Sequence, residues 1–298
     1  MKTLIVTKHS KYEYEIEKFK LTHDELVAKY SKEHANLDAI INSHDAQITA
    51  RKKLQELMPS ATLMRMHDLK EQITDYDMII SFGGDNSFTY ISHYVGNIPL
   101  AGINADPARS LGALCGWSSQ NLEQTIKNIT DGTHAIQTWP LLSATVDDKI
   151  ITPALSEYLF AEEKAKDMSR QVIVYRGKEY EQKGGGILAA TGAGSTGWYS
   201  SVRHYLAQSI PPYKKTENSG VFIVREPFFS NNKSVEEQQQ VLLNATLLPD
   251  EELHIYSLHD SHGIVTSDCW EDFDFNRGSK AVVKIGEKVL HTIVPVNA

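Results

Sequence analysis

Cysteine is nearly absent from this chain, which has two, Cys115 and Cys269, among 298 residues. Two thiols cannot build a disulfide framework, and neither stands in a C-x-x-C pair, so a reducing compartment is the expected setting. Positive charge is in short supply: 30 Lys and Arg stand against 38 Asp and Glu, a formal net charge of −8. A sequence pI near 5.8 argues against a general nucleic-acid binder, which usually carries a net basic face. No uncharged apolar run reaches the ~18 residues of a membrane span. The opening segment MKTLIVTKHS is apolar only from Leu4 to Val6, too short for a signal-peptide core and suited to a first β-strand. Internal repeats are lacking, and low complexity is confined to Gln238–Gln240. What remains is 41% hydrophobic and 23% charged, the balance of a protein that buries a sizeable core, which excludes a disordered tail or a collagen-like fibre. The expectation is a soluble cytoplasmic protein with no nucleic-acid and no membrane partner.

The first half alternates strand and helix signals. Leu4–Thr7 reads as a strand, and Thr22-His23-Asp24-Glu25 as a capping box ahead of a helix carrying Leu26, Val27 and Tyr30. Residues 35–58 place Leu37, Ile40, Ile41, Ile48, Leu54 and Leu57 at spacings compatible with one helical face. Ala61–Met66, Tyr76–Phe82 and Ile98–Ile103 read as further strands, with a short helix from Gly83-Gly84-Asp85-Asn86-Ser87 through Tyr94. This is the βαβ rhythm of a doubly wound parallel sheet. From about residue 140 the texture changes. Leu141–Val146, Ile150–Phe160, Gln171–Tyr175, Gly186–Ala190 and Val221–Val224 are strand-like pieces between turn residues, as expected of an antiparallel, sandwich-like β domain. One helix is expected over Gly197–Ala207, a polar loop over Ser230–Gln240, and a C-terminal tail from Asp272 that returns to the first domain. The predicted organisation is thus an α/β domain, 1–135 plus 272–298, and a β-rich domain, 136–271.

Two glycine-rich segments can carry chemistry. Gly83-Gly84-Asp85-Asn86-Ser87 lies at the carboxyl end of an apolar strand, where open parallel sheets bind ligands. Its glycines let backbone N–H groups approach a phosphate, and the following helix would present its positive end. An acid there can act as a base toward a hydroxyl or help hold Mg²⁺. The same five residues also suit a plain strand-to-helix turn with Asp as its cap. The second segment, Lys183-Gly184-Gly185-Gly186-Ile187-Leu188-Ala189-Ala190-Thr191-Gly192-Ala193-Gly194-Ser195-Thr196-Gly197-Trp198, joins a strand to a helix through small and hydroxyl residues. Backbone donors and hydroxyls of this kind can wrap a nucleotide, although a flexible turn has the same composition. The GxxxxGK[ST] spacing of a P-loop is absent. His259-Asp260-Ser261-His262 has metal-ligand residue types but no helix or third ligand, and reads as a polar loop.

The ordered set of motifs resembles the NAD kinase family, and within it most closely the mitochondrial-type branch. The family's GGDG[ST] motif falls on Gly83–Ser87, and its Gly-x-Asn strand end on Gly102-Ile103-Asn104, continued in this branch's style through Ala105–Gly112. The Asn-Glu motif falls on Ser156-Glu157 and the TGST-type loop on Thr191–Trp198. Lys8–Glu15, Val224-Arg225-Glu226-Pro227 and Asp268–Gly278 match in the same order. The resemblance implies a transferase that passes a phosphoryl group, usually from Mg-ATP, to the adenosine-ribose 2′-hydroxyl of NAD, giving NADP. It implies Asp85 as the catalytic acid that orients or deprotonates that hydroxyl. It assigns Gly83, Gly84, Asn86, Ser87, Asn104, Ser156, Glu157, Thr191, Gly194, Ser195, Thr196 and Trp198 to nucleotide or NAD binding, with no resident metal. A homodimer or higher homo-oligomer is also implied.

Four positions depart from the family pattern. Asn86 and Cys269 stand where the family has Gly, Ser156 replaces Asn, and Gly185 replaces an acid that many members carry. Asn tolerates a left-handed backbone better than most residues, which would preserve the turn at Asn86. Two rival readings follow: an NAD- or NADP-binding sensor with weakened catalysis, and a lipid kinase of the diacylglycerol type. The latter shares a GGDG-like turn but does not call for the Ser156-Glu157 and Thr191–Trp198 pair.

Overall fold

The structure, a computed structural model, describes residues 1–205, 213–229 and 242–296. The expected loop over Ser230–Gln240, with its Gln238–Gln240 run, and the end of the helix expected to reach Ala207 lie outside the described residues. The chain divides into two compact units, Met1–Gln137 with His291–Ala298, and Thr138–Leu290. Among the described residues no helix is long and apolar enough to cross a membrane.

The first unit is built on parallel strands. In chain order it contains β1 (Thr3–Thr7), α1 (Lys11–Phe19), α2 (His23–Lys32), α3 (Leu37–Leu57), β2 (Thr62–Arg65), β3 (Met78–Gly83), α4 (Asp85–Ser92), β4 (Leu100–Asn104), β5 (Trp117–Ser118) and α5 (Leu122–Thr130). The strands pair in parallel in the order β2-β1-β3-β4, with β5 on the far side of β4. Every residue of β1, β3 and β4 is buried, which is why these strands read as continuous apolar runs rather than alternating ones. One face packs Ile5, Ile80, Ala101 and Ile103 against Leu54 of α3 and Leu122, Ile126 and Ile129 of α5. The starts of α1 and α2 are fixed by capping boxes, Ser10 with Glu13 and Thr22 with Glu25.

The second unit is antiparallel. It contains most of β6 (Ala135–Val146), then β7 (Lys149–Ile150), β8 (Glu157–Glu162), β9 (Ser169–Tyr175), β10 (Lys178–Gly184), β11 (Gly186–Thr191), α6 (Trp198–Tyr205), β12 (Gly220–Arg225), β13 (Asn244–Leu247), β14 (Leu253–Ser257), β15 (Gly263–Ser267), β16 (Glu271–Asp274) and the start of β17 (Lys280–Val294). Six strands form one sheet in the order β13-β12-β11-β8-β15-β16, and β10-β9-β14-β17 run side by side in the other. Tyr158, Phe160, Ile187, Ala189, Phe222 and Val224 of the first sheet share a core with Ile173, Ile255, Ala281 and Val283 of the second. The alternate residues Leu159, Leu188, Ala190, Val221 and Ile223 pack against Tyr199 and Val202 of α6. The six-stranded sheet is therefore covered on both faces at its centre. This matches the predicted pairing of a parallel-sheet domain with an antiparallel one.

Two boundaries differ from the sequence reading. Residues 272–290 remain in the second unit, because β16 pairs with β15 and Lys280–Val283 pair with β14. The tail does return to the first unit, where Thr292 and Ile293 pair with Leu100 and Ala101. The strand expected over Ile150–Phe160 begins only at Glu157. The backbone before it meets β6 through a bridge at Ala154, and the Leu155, Ser156 and Glu157 amides go to the Asp268 carboxylate.

Candidate active site

In the first unit, β3 ends at Gly83 beside Asn104, the last residue of β4. Gly84 is extended and caps α4, whose first residue is Asp85. A Cβ on Gly83 would strike the Ser87 hydroxyl, with Lys8 Cδ passing 3.5 Å from the same point. Glycine at 83 is thus a packing requirement, and Ser87 is buried beneath the turn. The Asp85 carboxylate is held at both oxygens: Leu114 N donates to Oδ1 at 2.7 Å and Ala113 N to Oδ2 at 3.0 Å. Those amides are delivered by the loop after β4. Asn104 shapes that loop, donating from Nδ2 to Ser110 O at 2.8 Å and accepting from Asp106 N at 3.2 Å. Gly112 closes it with φ 60°, and a side chain there would run into Asn104. Residues 105–109 also line a cavity of about 810 Å³ together with α3 and α5. Asn104 therefore serves the backbone that clamps Asp85. The motif reading ended at Gly112 and did not single out Ala113 and Leu114, whose amides hold the Asp85 carboxylate.

In the second unit, Ser156, Glu157, Thr191 and Gly194 come together at one end of β8 and β11. The Thr191 hydroxyl donates to Leu155 O at 2.5 Å and accepts from Ala193 N and Gly194 N. A Cβ on Gly194 would lie 3.1 Å from Glu157 Oε2, so the small residue is what lets the loop close over the acid. Glu157 is 8% exposed, and among the described residues its Oε2 has no hydrogen-bond partner. Burial, reinforced by the charge of Asp268, pushes its carboxyl up to about 8. The Ser195 hydroxyl is buried and donates to Gly192 O at 2.7 Å and Tyr213 O at 3.1 Å, so it shapes the loop from inside. Thr196 is exposed. Trp198 lies under the Arg225 guanidinium, 4.4 Å from the ring centroid, a cation–π contact.

The His259–His262 segment is structural. Glu162 accepts the amides of Asp260, Ser261 and His262, while buried His259 faces the same carboxylate at 3.5 Å. Burial lowers the His259 imidazole against the opposing pull of Glu162. Among the described residues no group of three or more His, Cys, Asp or Glu side chains is placed to hold a metal ion.

No family model matches the chain. An NAD kinase of Bacteroides fragilis is 29% identical over 208 residues, which cover 67% of this chain and 70% of that protein. A probable NADH kinase of Oryza sativa subsp. japonica is 26% identical over 187 residues, 55% of this chain and 56% of that protein. An NAD kinase of Methanothermobacter thermautotrophicus is 26% identical over 63% of this chain and 66% of its own length. The curated relatives support the NAD kinase family. The crystal structure of an NAD kinase from Archaeoglobus fulgidus in complex with ATP aligns with TM-score 0.65 at 17% identity, covering 100% of this chain and 94% of that one, and so has the same fold.

Against the NAD kinase pattern, the departures take physical form. Asn86 lies inside α4 with negative φ and its side chain exposed, so no left-handed conformation is needed there, contrary to the expectation for a Gly-to-Asn change. Cys269 does adopt one, φ 60°, directly after Asp268 at φ 50°. At Gly185 a Cβ would lie 2.6 Å from Glu226 Oε2, so a carboxylate from the end of β12 fills the space over the glycine that replaces the family's acid. Asp268 is the residue that the motif reading undervalued. It was visible only as the first residue of the Asp268–Gly278 match, directly before the departure at Cys269.

Proposed function

We propose that the protein is an NAD kinase that transfers the terminal phosphoryl group of Mg-ATP to the adenosine-ribose 2′-hydroxyl of NAD, giving NADP and ADP. The observation that carries this reading is the Asp85 carboxylate, fixed at both oxygens by backbone amides beside the Gly83-Gly84 turn and the start of α4. An acceptor held in this way takes the hydroxyl proton as the ribose oxygen attacks the γ-phosphorus and the bond to the bridging oxygen breaks. Phosphoryl transfer depends mainly on alignment and charge neutralisation, and such base catalysis contributes on the order of 10²–10⁴-fold. The α4 N-terminus and the glycine amides supply donors toward phosphate oxygens. Mg²⁺ enters with the donor nucleotide as part of that substrate. Glu157, Ser156, Gly194 and Trp198 bind the dinucleotide in this reading, while the Thr191 hydroxyl, committed to Leu155 O and the Ala193 and Gly194 amides, shapes the loop that does so. Ser195 and Asn104 act by holding loops in shape, since both side chains are committed to backbone groups.

Within the family we place the chain nearest the mitochondrial-type branch, on the Ala105–Gly112 continuation of the Gly-x-Asn strand. We assign it to the cytoplasm on its low cysteine content, and to a homo-oligomer on the resemblance, which sedimentation would register as a mass above 33.4 kDa. The deciding experiment is NADP formation from NAD and Mg-ATP, read by an NADP-specific coupled assay, with Asp85→Asn beside the wild type. Turnover lowered by about 10²-fold or more in the variant, with folding intact, supports the assignment. Near-normal turnover removes Asp85 from the role. No product from the wild type, tested also with polyphosphate and NADH, turns the reading to a nucleotide-binding relative.

A further inference from the structure

Two buried carboxylates of the second unit, Glu157 and Asp268, receive opposite treatment from the backbone. Asp268 accepts three successive amides, Leu155 N on Oδ2 at 2.7 Å and Ser156 N and Glu157 N on Oδ1 at 2.7 and 2.9 Å. Its own amide returns a bond to Glu157 O at 2.9 Å. A carboxyl whose two oxygens both receive N–H groups is an acceptor and carries the negative charge. Among the described residues, Glu157 Oε2 has no donor. Two buried carboxyls that influence one another do not both ionise readily, and the proton stays where donors are missing.

The surroundings hold the same balance. The β15–β16 corner turns Asp268 and the Cys269 thiol toward Glu157, and Asp272 acts on that thiol in turn. Burial first, then these acids, pushes the thiol up to about 11, so it is neutral. Tyr158, next along β8, is likewise raised by burial and stays a phenol. The loop from Gly192 to Gly197 contains no titratable residue.

We propose that Glu157 meets the dinucleotide as the protonated acid, donating a hydrogen bond to an acceptor oxygen of the ligand, with Asp268 as the positioning residue that aims it and keeps the proton on it. This deepens the NAD-binding reading of Glu157 and rests on it. The half-site so formed selects an uncharged acceptor, such as a ribose or carboxamide oxygen, and disfavours a phosphate oxygen brought against Asp268.

The test is calorimetric titration of the full chain with NAD across the neutral to alkaline range. Wild-type affinity is expected to be flat below the folded value of about 8 and to fall about tenfold per pH unit above it, as the acid form is lost. Asp268→Asn removes the like charge but leaves the burial, so the fall moves to lower pH. Glu157→Gln keeps an N–H donor and cannot ionise, so at high pH it binds NAD more tightly than the wild type. Wild-type affinity that stays constant or rises through that range overturns the proposal, as does weaker binding by Glu157→Gln at its top. Should the wild type bind no NAD, the carboxyl ¹³C resonance of Glu157 in the ligand-free protein separates the two ideas. A titration near 8 that drops in Asp268→Asn keeps the proton on Glu157 and moves the failure to the ligand. A titration in the ordinary carboxylate range overturns the proton placement itself.

Discussion

Replacing Cys269 by Gly is expected to stabilise the second unit. Cys269 sits at φ 60° as the second of two consecutive non-glycine residues in the left-handed region. A side chain in that conformation costs about 1–2 kcal/mol through the contact of Cβ with the neighbouring carbonyl oxygen. Glycine removes that contact but loses about 0.5–1 kcal/mol in the unfolded chain, where it is freer. Cys269 as a residue is exposed, its thiol is partly shielded beside the neighbouring acids, and among the described residues it has no disulfide partner, so the packing lost with it is modest. The difference leaves a gain of about 0.5–1 kcal/mol. Urea denaturation followed by tryptophan fluorescence reads it as a higher midpoint with an unchanged slope, because the surface exposed on unfolding is nearly the same. Cys269→Ala serves as the control: it removes the sulfur and keeps the Cβ, so its midpoint stays near the wild type. Equal gains from both substitutions would show that the sulfur, and not the backbone, was the source. A midpoint lowered by Cys269→Gly would refute the strain argument, and would mean that the corner holding Asp268 needs the stiffness of a side chain.

Gly112→Ala acts in the opposite sense, since φ is 60° and the new Cβ runs into Asn104. It is expected to lose about 1–2 kcal/mol of stability and, by displacing Ala113 and Leu114 from Asp85, to lower kcat for NADP formation more than it raises KM for NAD. A raised KM with kcat unchanged would place the damage in binding. Glu251 is held down to about 2 chiefly by Arg176, whose Nε lies 2.7 Å away, with help from Tyr175 and the Leu248 amide. Its folded value lies below the unfolded one, so the stability it adds is present above the usual value of 4.5 and fades as pH falls toward 2. Glu251→Gln therefore lowers the thermal midpoint at neutral pH and narrows its difference from the wild type in acid. A gap that widens in acid would contradict the linkage.

Much of the fold was legible because its central strands are buried on both faces. Met78–Phe82, Ile187–Ala190 and Val221–Val224 admit almost no polar residue, and so stand out in the sequence. The elements missed lack that signature. β10, Lys178–Gly184, is an edge strand with Tyr180 as its one large apolar residue. It is held by pairing to β9 through the Arg176-Gly177 turn, where both residues have positive φ. α1 could have been found from the Ser10-x-x-Glu13 capping box, and α5 from Leu122, Ile126 and Ile129 at helical spacing. The Gly83–Ser87 and Thr191–Trp198 motifs were equally visible, because glycine and hydroxyl residues announce themselves. What orients the acids in them was not. Asp85 is set by amides 28 and 29 residues away, and the segment ahead of β8 by a carboxylate more than 110 residues on. A backbone N–H leaves no trace in residue type.

That blind spot explains why two acids that look alike in a motif differ in chemistry. Asp85 receives a backbone donor at each oxygen, and a carboxylate so held is a hydrogen-bond acceptor of fixed direction, suited to orienting a hydroxyl. Glu157 receives none at Oε2, while its neighbour Asp268 takes three, so the donors that would have stabilised a charge on Glu157 stabilise it one residue pair away. The backbone thereby sets one acid to accept and another to donate, without a lysine or arginine paired to either in the described structure. The letter in the motif supplies a carboxyl group, but its role is decided by which amides the distant loops bring to it. A change such as Gly-to-Cys at 269 can therefore alter a site by moving backbone, even though its own side chain makes no hydrogen bond in the described structure.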